Sequence, residues 1–300
     1  MKIYINKGEK MNLIQLVPIT AKINFLKRKT IAFIMSGILI SASIGFLVTK
    51  GLNFGIDFTG GISVEVEKSE KITVSNLRNL LKEMNPEIQS SNSENTVSIR
   101  LPIKKESEQK LQLANLKTIL GADVSYRSVD MVGPKVGGEL IEKGIYAIFL
   151  ALFAIAFYIW IRFEMSFAIG ALSALFHDIV LTLGFFSLIG LEFNLTAVAA
   201  ILTIAGYSVN DTVVVYDRVR ENLRKYRKKS LADLLNLSLN ETLSRTILTS
   251  LTTFLAVIAL VVFGGNVLGS FSYALLFGIV IGTYSSMFIA VPLLTEKIKQ

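Results

Sequence analysis

Gly206-Tyr207-Ser208-Val209-Asn210-Asp211-Thr212 lies inside the apolar run Leu195–Tyr216, and its reading decides the fold. An ionised carboxylate at membrane depth costs about 3 kcal/mol or more, so Asp211 needs a partner, a proton or water. The segment that follows, Asp217–Arg245, is dense in Arg and Lys, and Arg245 stands where the next apolar run begins. An acid within one helix and an Arg at the end of its neighbour suit a group that loads and releases a proton. The alternative is a static pair that holds two helices together; intramembrane acids are functional by default, which favours the first reading.

Working outward, the chain is 52% apolar and has no cysteine and one histidine. Disulfides and thiolate metal sites are thereby excluded, and no His/Glu cluster suggests a metal centre. Six stretches approach the roughly 20 residues that cross a hydrocarbon core. They are Ile31–Val48, Ile145–Ile161, Ser166–Leu191, Leu195–Tyr216, Thr246–Phe263 and Leu268–Leu294. The first is too long for a signal-peptide apolar core and is read as an uncleaved anchor.

Orientation follows from basic residues in short flanks. Lys22, Lys27, Arg28 and Lys29 precede span 1, and Arg162 lies between spans 2 and 3. Arg218, Arg220, Arg224, Lys225, Arg227, Lys228, Lys229 and Arg245 lie between spans 4 and 5, with Lys297 and Lys299 after span 6. The opposite links, Glu192-Phe193-Asn194 and Gly264-Gly265-Asn266, carry none. Both termini are therefore expected in the cytoplasm, with residues 1–30 and 295–300 as cytoplasmic ends. Gly51–Gly144 is then external. It holds 12 basic and 13 acidic residues, leaving 19 and 10 elsewhere. The positive charge is thus juxtamembrane and suits anionic lipid. No aromatic stacking platform accompanies it, so nucleic acid is not an expected partner. Within the link, Ser230–Ser244 is amphipathic enough to lie along the cytoplasmic interface or to bind a partner.

The external segment alternates strand and helix signals. Gly61–Glu67 has period two; Thr73 can cap a helix through Leu77, Leu80 and Leu81; Pro86–Ser91 can form a short strand. Thr96–Leu101 alternates again, Glu106–Leu120 is helical and ends at Gly121, and Asp123–Met131 is a last strand. The order β-α-β-β-α-β predicts a small ferredoxin-like α+β domain between helices 1 and 2. Ahead of it, Gly55, Asp57, Gly60 and Gly61 read as a tight turn using glycine for positive φ, since a phosphate loop would need a following Lys-Ser/Thr.

Two further ionisable groups fall inside spans, His177 and Asp178. Rise per residue puts His177 about 16 Å into helix 3 and Asp211 roughly 8 Å from the cytoplasmic end of helix 4. His177 and Asp178 point about 100° apart and are not expected to face one partner. With Asn210 they are candidates for a proton path; the alternative is a hydrogen bond to a neighbouring helix. The Asp211 face of helix 4 is expected to form a polar seam needing cover by a second half-bundle. Small residues in helices 3, 4 and 6, including Gly170, Gly206, Gly278, Gly282, Ser285 and Ser286, allow close helix approach. No nucleophile–base pair, metal set or cofactor motif is present, so the chain is not read as an enzyme and no cofactor is expected.

Five ordered motifs resemble the SecD/SecF family of bacterial protein export, specifically its smaller, SecF-type subunits. They are Phe54-Gly55-Ile56-Asp57-Phe58-Thr59-Gly60-Gly61; Val132-Gly133-Pro134; Ala174-Leu175-Phe176-His177-Asp178; Gly206 to Thr212 running on to Asp217-Arg218-Val219-Arg220-Glu221-Asn222; and Asn240-Glu241-Thr242-Leu243-Ser244-Arg245-Thr246-Ile247. Residues 1–12 match nothing in it. The resemblance implies an α-helical polytopic membrane protein of the RND superfamily: a six-helix half bundle in the bacterial inner membrane. It implies a SecD partner carrying the other six spans, the SecYEG channel nearby, and use of the proton-motive force to draw a preprotein outward. By motif position, Asp211 and Arg245 take the proton-responsive roles. Two other classes remain: an RND-type exporter of small amphiphiles or lipids, and a scaffold subunit with Asp211 inert.

Overall fold

The computed structural model describes residues 22–68, 74–90, 95–103, 106–121, 124–265 and 268–297. Residues 1–21, Thr73, Ser91, Asp123, Asn266 and Lys299, all of which carry expectations above, lie outside them.

Helix α1 is Lys29–Thr49, led by a short 3-10 turn. Strand β1 (Asn53–Phe54) and helix α2 (Ile56–Thr59) follow. The domain then runs β2 (Gly61–Lys68), α3 (Val74–Leu80), β3 (Glu87–Ser90), β4 (Thr96–Leu101), α4 (Glu106–Leu120) and β5 (Val124–Val132). Its sheet order is β3-β4-β2-β5 with every pairing antiparallel. The split β-α-β arrangement is that of a ferredoxin-like fold. Alternation explains it: Ile62, Val64 and Val66 face inward with Val97, Ile99 and Leu101, against Leu77 and Leu116 from the helices.

The other helices are α5 (Pro134–Arg162), α6 (Met165–Ile189), α7 (Leu195–Lys225), α8 (Leu231–Phe263), α9 (Gly269–Ser285) and α10 (Val291–Lys297), with β6 (Glu192–Phe193) between α6 and α7. A π turn, Ser286–Ala290, joins α9 to α10. Six helical stretches among the described residues are long and apolar enough to span a membrane. In α6, α7 and the α9–α10 stretch 56% of the apolar window is buried, against 11% in α1, α5 and α8. The first three therefore form the centre of the bundle, and the others present apolar faces outward.

Three elements differ from the sequence reading. Helix α5 begins at Pro134, well before Ile145, because proline at N1 starts a helix readily. Ser230–Ser244 is not a separate interfacial helix. It is the start of α8, and Leu235, Leu239 and Leu243 bury their apolar stripe in the bundle core. Helix α7 runs on to Lys225, which puts Asp211 near its midpoint rather than near its end.

At one end of the bundle, β1 pairs in parallel with β6. Phe54, Phe58, Phe186 and Phe193 pack there ring against ring, with Phe58 and Phe193 5.9 Å apart. At the other end, Asn222 bridges to Ser238 and Glu241, and Arg218 binds Glu241 and Glu221. Asn236 and Asn240 hold Leu26 and Ile23 against α8.

Candidate functional site

The centre of the bundle holds a connected set of polar side chains. On α6, His177 is 1% and Asp178 0% exposed. The two touch, with His177 Nδ1 2.9 Å from Asp178 Oδ1. Reasoning from helical angle treats side chains as spokes and misses this contact between neighbours. Asp178 Oδ2 accepts from Ser208 Oγ of α7 at 2.5 Å and from Ser285 Oγ of α9 at 2.7 Å. Three helices thus meet on one carboxylate. Gly282 permits the approach, since a Cβ there would lie 3.2 Å from the Ser208 Cβ.

Asp211 is 7% exposed and faces inward, between α7 and α8. Its Oδ1 accepts from Thr246 Oγ1 at 2.8 Å, while Oδ2 is buried with no hydrogen-bond partner among the described residues. Next to it, Thr212 and Ser286 share a 2.9 Å hydrogen bond, and Ser286 donates to the Ser208 carbonyl at 3.3 Å. Hydrogen bonds from Asp178 thus run through Ser208 and Ser286 to Thr212, the residue next to Asp211 in the chain. The π turn begins at Ser286, where an irregular helical turn frees backbone and side chains to reach across.

Asp211 and Arg245 are not paired in this structure, which is the separated one of the two arrangements open to them. Arg245 is exposed, and its successor Thr246 takes the carboxylate instead. One helical step of about 100° separates the two positions on α8. The seam is accordingly displaced from Asp211 itself. Thr203 and Asn210 on α7, with Arg245, Thr249 and Thr252 on α8, form its exposed polar members. Asn210 is thus at the surface, away from the His177–Asp178 contact.

His177 Nε2 is buried without a hydrogen-bond partner among the described residues. The residue lines a largely apolar cavity of about 620 Å³ with Ser36, Phe33 and Ser173. Ser208, Thr246 and Ser285 were not singled out as carboxylate partners by sequence. Ser208 stood in the quoted motif, but Ser285 and Ser286 read as packing residues.

The glycine motif lies at the domain end. Gly60 and Gly61 have φ of 70° and 130°, and a Cβ on Gly60 would come 2.9 Å from Pro134 Cα. Asp57 Oδ2 accepts from the Leu195 amide at 2.9 Å, capping α7 together with Asn194.

Known proteins share this layout. Residues 112–300 match the family described as protein export membrane protein SecD/SecF, C-terminal, and residues 45–67 match the SecD/SecF GG motif. The chain belongs to the SecD/SecF family. Among relatives, it is 46% identical to the protein translocase subunit SecF of Rickettsia akari, over 94% of each chain. It is 45% identical to that of Rickettsia prowazekii, over 94% of this chain and 93% of the relative. Among solved structures, SecDF from Thermus thermophilus, a translocon-associated membrane protein, aligns with TM-score 0.85 at 34% identity. The alignment covers 93% of this chain and 39% of that one, so this chain spans about two fifths of SecDF. A structure of SecDF in a super-membrane-facing form aligns at the same identity and coverage with TM-score 0.69. SecD/SecF membership assigns the chain a role in protein translocation and favours it over a small-amphiphile exporter. The chain is a multi-pass membrane protein.

Proposed function

We propose that this chain is the SecF half of a SecD–SecF complex in the bacterial inner membrane. There it uses the proton-motive force to assist a preprotein crossing through SecYEG. Both termini face the cytoplasm in this reading, and the basic link residues Arg224, Lys225, Arg227, Lys228 and Lys229 meet anionic lipid.

One observation carries the proton role: Asp211 Oδ2 is buried and, among the described residues, has no hydrogen-bond partner. An ionised carboxylate with an unsatisfied oxygen is costly in such a site. A proton on that oxygen removes the larger, charge-related part of the cost, and a cation brought to it offsets the charge. Arg245, one position before the residue that holds the other oxygen, is the cation within reach of a helix movement. Asp211 and Arg245 are therefore the coupling residues, and exchange of proton for Arg is the switch. The seam containing Asn210 and Arg245 is the surface that a SecD half covers. The Asp178–Ser208–Ser285 set, with His177 at the cavity, extends the polar path across the bundle.

The energy suffices for a bias rather than a single large stroke. One charge crossing the membrane field gains about 2.3 kcal/mol per 100 mV, more than a tenfold shift between two states. The test is Asp211→Asn in inverted vesicles carrying the complex, with ATP saturating. It preserves shape and removes the charge. Gradient-dependent completion of preprotein export should be lost while the complex remains assembled. Full stimulation by the gradient in this variant would make Asp211 a structural residue.

A further inference from the structure

The chain ahead of α1 is gripped by the first turns of α8. Asn240 binds both backbone polar groups of Ile23: its Oδ1 accepts from the Ile23 amide at 2.8 Å, and its Nδ2 donates to the Ile23 carbonyl at 2.8 Å. One turn earlier, Asn236 Oδ1 accepts from the Leu26 amide at 3.2 Å, and its Nδ2 donates to Asn24 Oδ1 at 3.1 Å. Asn24 Oδ1 also accepts from the Lys27 amide at 3.0 Å, which ties the 3-10 turn ahead of α1 to α8. A primary amide carries a donor and an acceptor side by side, as a backbone does, and so suits this task. Beneath the grip, Phe25 and Leu26 are buried in the same core cluster as Leu239 and Leu243 of α8.

This is one of three faces that the start of α8 uses. Leu235, Leu239 and Leu243 face the core. Ser238 and Glu241 meet Asn222 of α7, and Glu241 also meets Arg218. Asn236 and Asn240 hold the segment ahead of α1. Further along the helix, the rotational setting decides which residue meets Asp211, and it is Thr246. Arg245 stands about 100° from Thr246 around the axis. A turn of α8 that put Arg245 in the place of Thr246 would carry Asn240 off Ile23.

We propose that Asn236 and Asn240 are positioning residues for the proton switch: their grip on Ile23–Leu26 holds α8 in the setting that offers Thr246 to Asp211, and it opens before Arg245 takes the place of Thr246.

This role of the two asparagines rests on the reading of Asp211 and Arg245 as the coupling pair. An ionised Asp211 attracts Arg245, and that pull works against the grip. A proton on Asp211 removes the pull, and the grip closes again. The grip itself is made of amides and backbone groups, so it sets the resting position without adding a charge.

The test uses the absence of cysteine from the chain. Ile23 gives the grip only its backbone, and its side chain is exposed. Leu237 is half-buried and stands about 60° from Asn240 on α8. Ile23→Cys with Leu237→Cys therefore leaves every bond of the grip in place. A short bifunctional thiosulfonate joins the two thiols through disulfides that a reductant reverses. The sample is the full chain with a cysteine-free SecD in inverted vesicles, whose cytoplasmic face is outward. At saturating ATP, gradient-dependent completion of preprotein export should match the cysteine-free chain before cross-linking. It should drop to the ATP-only level in the cross-linked chain and return on reduction. Full stimulation of the cross-linked chain overturns the proposal.

The rate of cross-linking is a second reading and needs no preprotein. It should fall by about twofold when a gradient is imposed, as for a grip open half of the time. With Asp211→Asn the rate should ignore the gradient. With Asn240→Ala it should be low with or without one. A rate that ignores the gradient while Asp211 is present overturns the proposal, and so does an undiminished rate in Asn240→Ala. If Asp211→Asn loses stimulated export and the cross-linked chain keeps it, the grip alone is refuted. If Asp211→Asn keeps full stimulation, the coupling reading fails, and the Asn240→Ala rate still reports whether the amides hold the segment.

Discussion

Ser208 Oγ donates a 2.5 Å hydrogen bond to Asp178 Oδ2, placing α7 in direct contact with the acid of α6 three positions before Asp211. Because Ser285 donates to the same oxygen, any sliding of α7 against α6 and α9 must break or exchange one of these bonds. A helix movement that brought Arg245 toward Asp211 would pass through this set.

Ser208→Ala should therefore destabilise the bundle by about 1–3 kcal/mol, the usual cost of leaving a buried acceptor short of a donor. Ser285→Ala should cost a similar amount. Since both donate to one oxygen, the double variant should depart from additivity. Thermal unfolding of the purified complex measures all three. Strict additivity with negligible single effects would mean that Asp178 is satisfied without them.

Arg245→Lys should keep part of the gradient stimulation, because it retains the charge and loses the planar fork. Arg245→Met should fall as low as Asp211→Asn. The same vesicle assay reads both. A fully active methionine variant would reduce Arg245 to a topology signal.

Gly61→Ala should cost more than Gly121→Ala. Both glycines have positive φ, 130° and 78°. A Cβ on Gly61 would strike the Leu101 carbonyl, whereas nothing lies within 4 Å of one on Gly121. Backbone strain alone is worth about 1–2 kcal/mol, and the collision adds to it at Gly61. Comparative melting of the two variants checks the order; equal losses would remove the close approach of β2 to the end of β4 as the reason for that glycine.

Orientation is tested with single cysteines at Ser125 and Lys228, on the domain and in the basic link; both positions are exposed. An impermeant thiol reagent added outside intact cells should label the first and spare the second, as the basic flanks require. Labelling at 228 would invert the topology.

Much of the architecture was legible because it is written in periodicity. Thr96–Leu101 and Glu106–Leu120 come out at the same bounds in the structure, since alternation in one and helical spacing in the other are local properties. The β1–β6 pair was not legible: two residues carry no period, and their partner lies far along the chain. Ser230–Ser244 misled for another reason. An amphipathic stripe reports that one face will be covered, and says nothing of whether protein or lipid covers it. At the site, an acid in an apolar run was visible at once. Its actual partner, Thr246, was hidden beside the more conspicuous Arg245.

The Asp57 cap on α7 has a consequence in time. Asp57 and Leu195 are separated by 138 positions. At a synthesis rate of about 5–20 residues per second, the ribosome makes Leu195 roughly 7–28 s after Asp57. In the later part of that interval, once Val132 has ended β5, the sequence of the α/β domain is complete while the helix it caps does not yet exist. The domain must therefore reach its fold unanchored and then receive the membrane helices as they arrive, so the joint between them is the last part of this end of the molecule to be born.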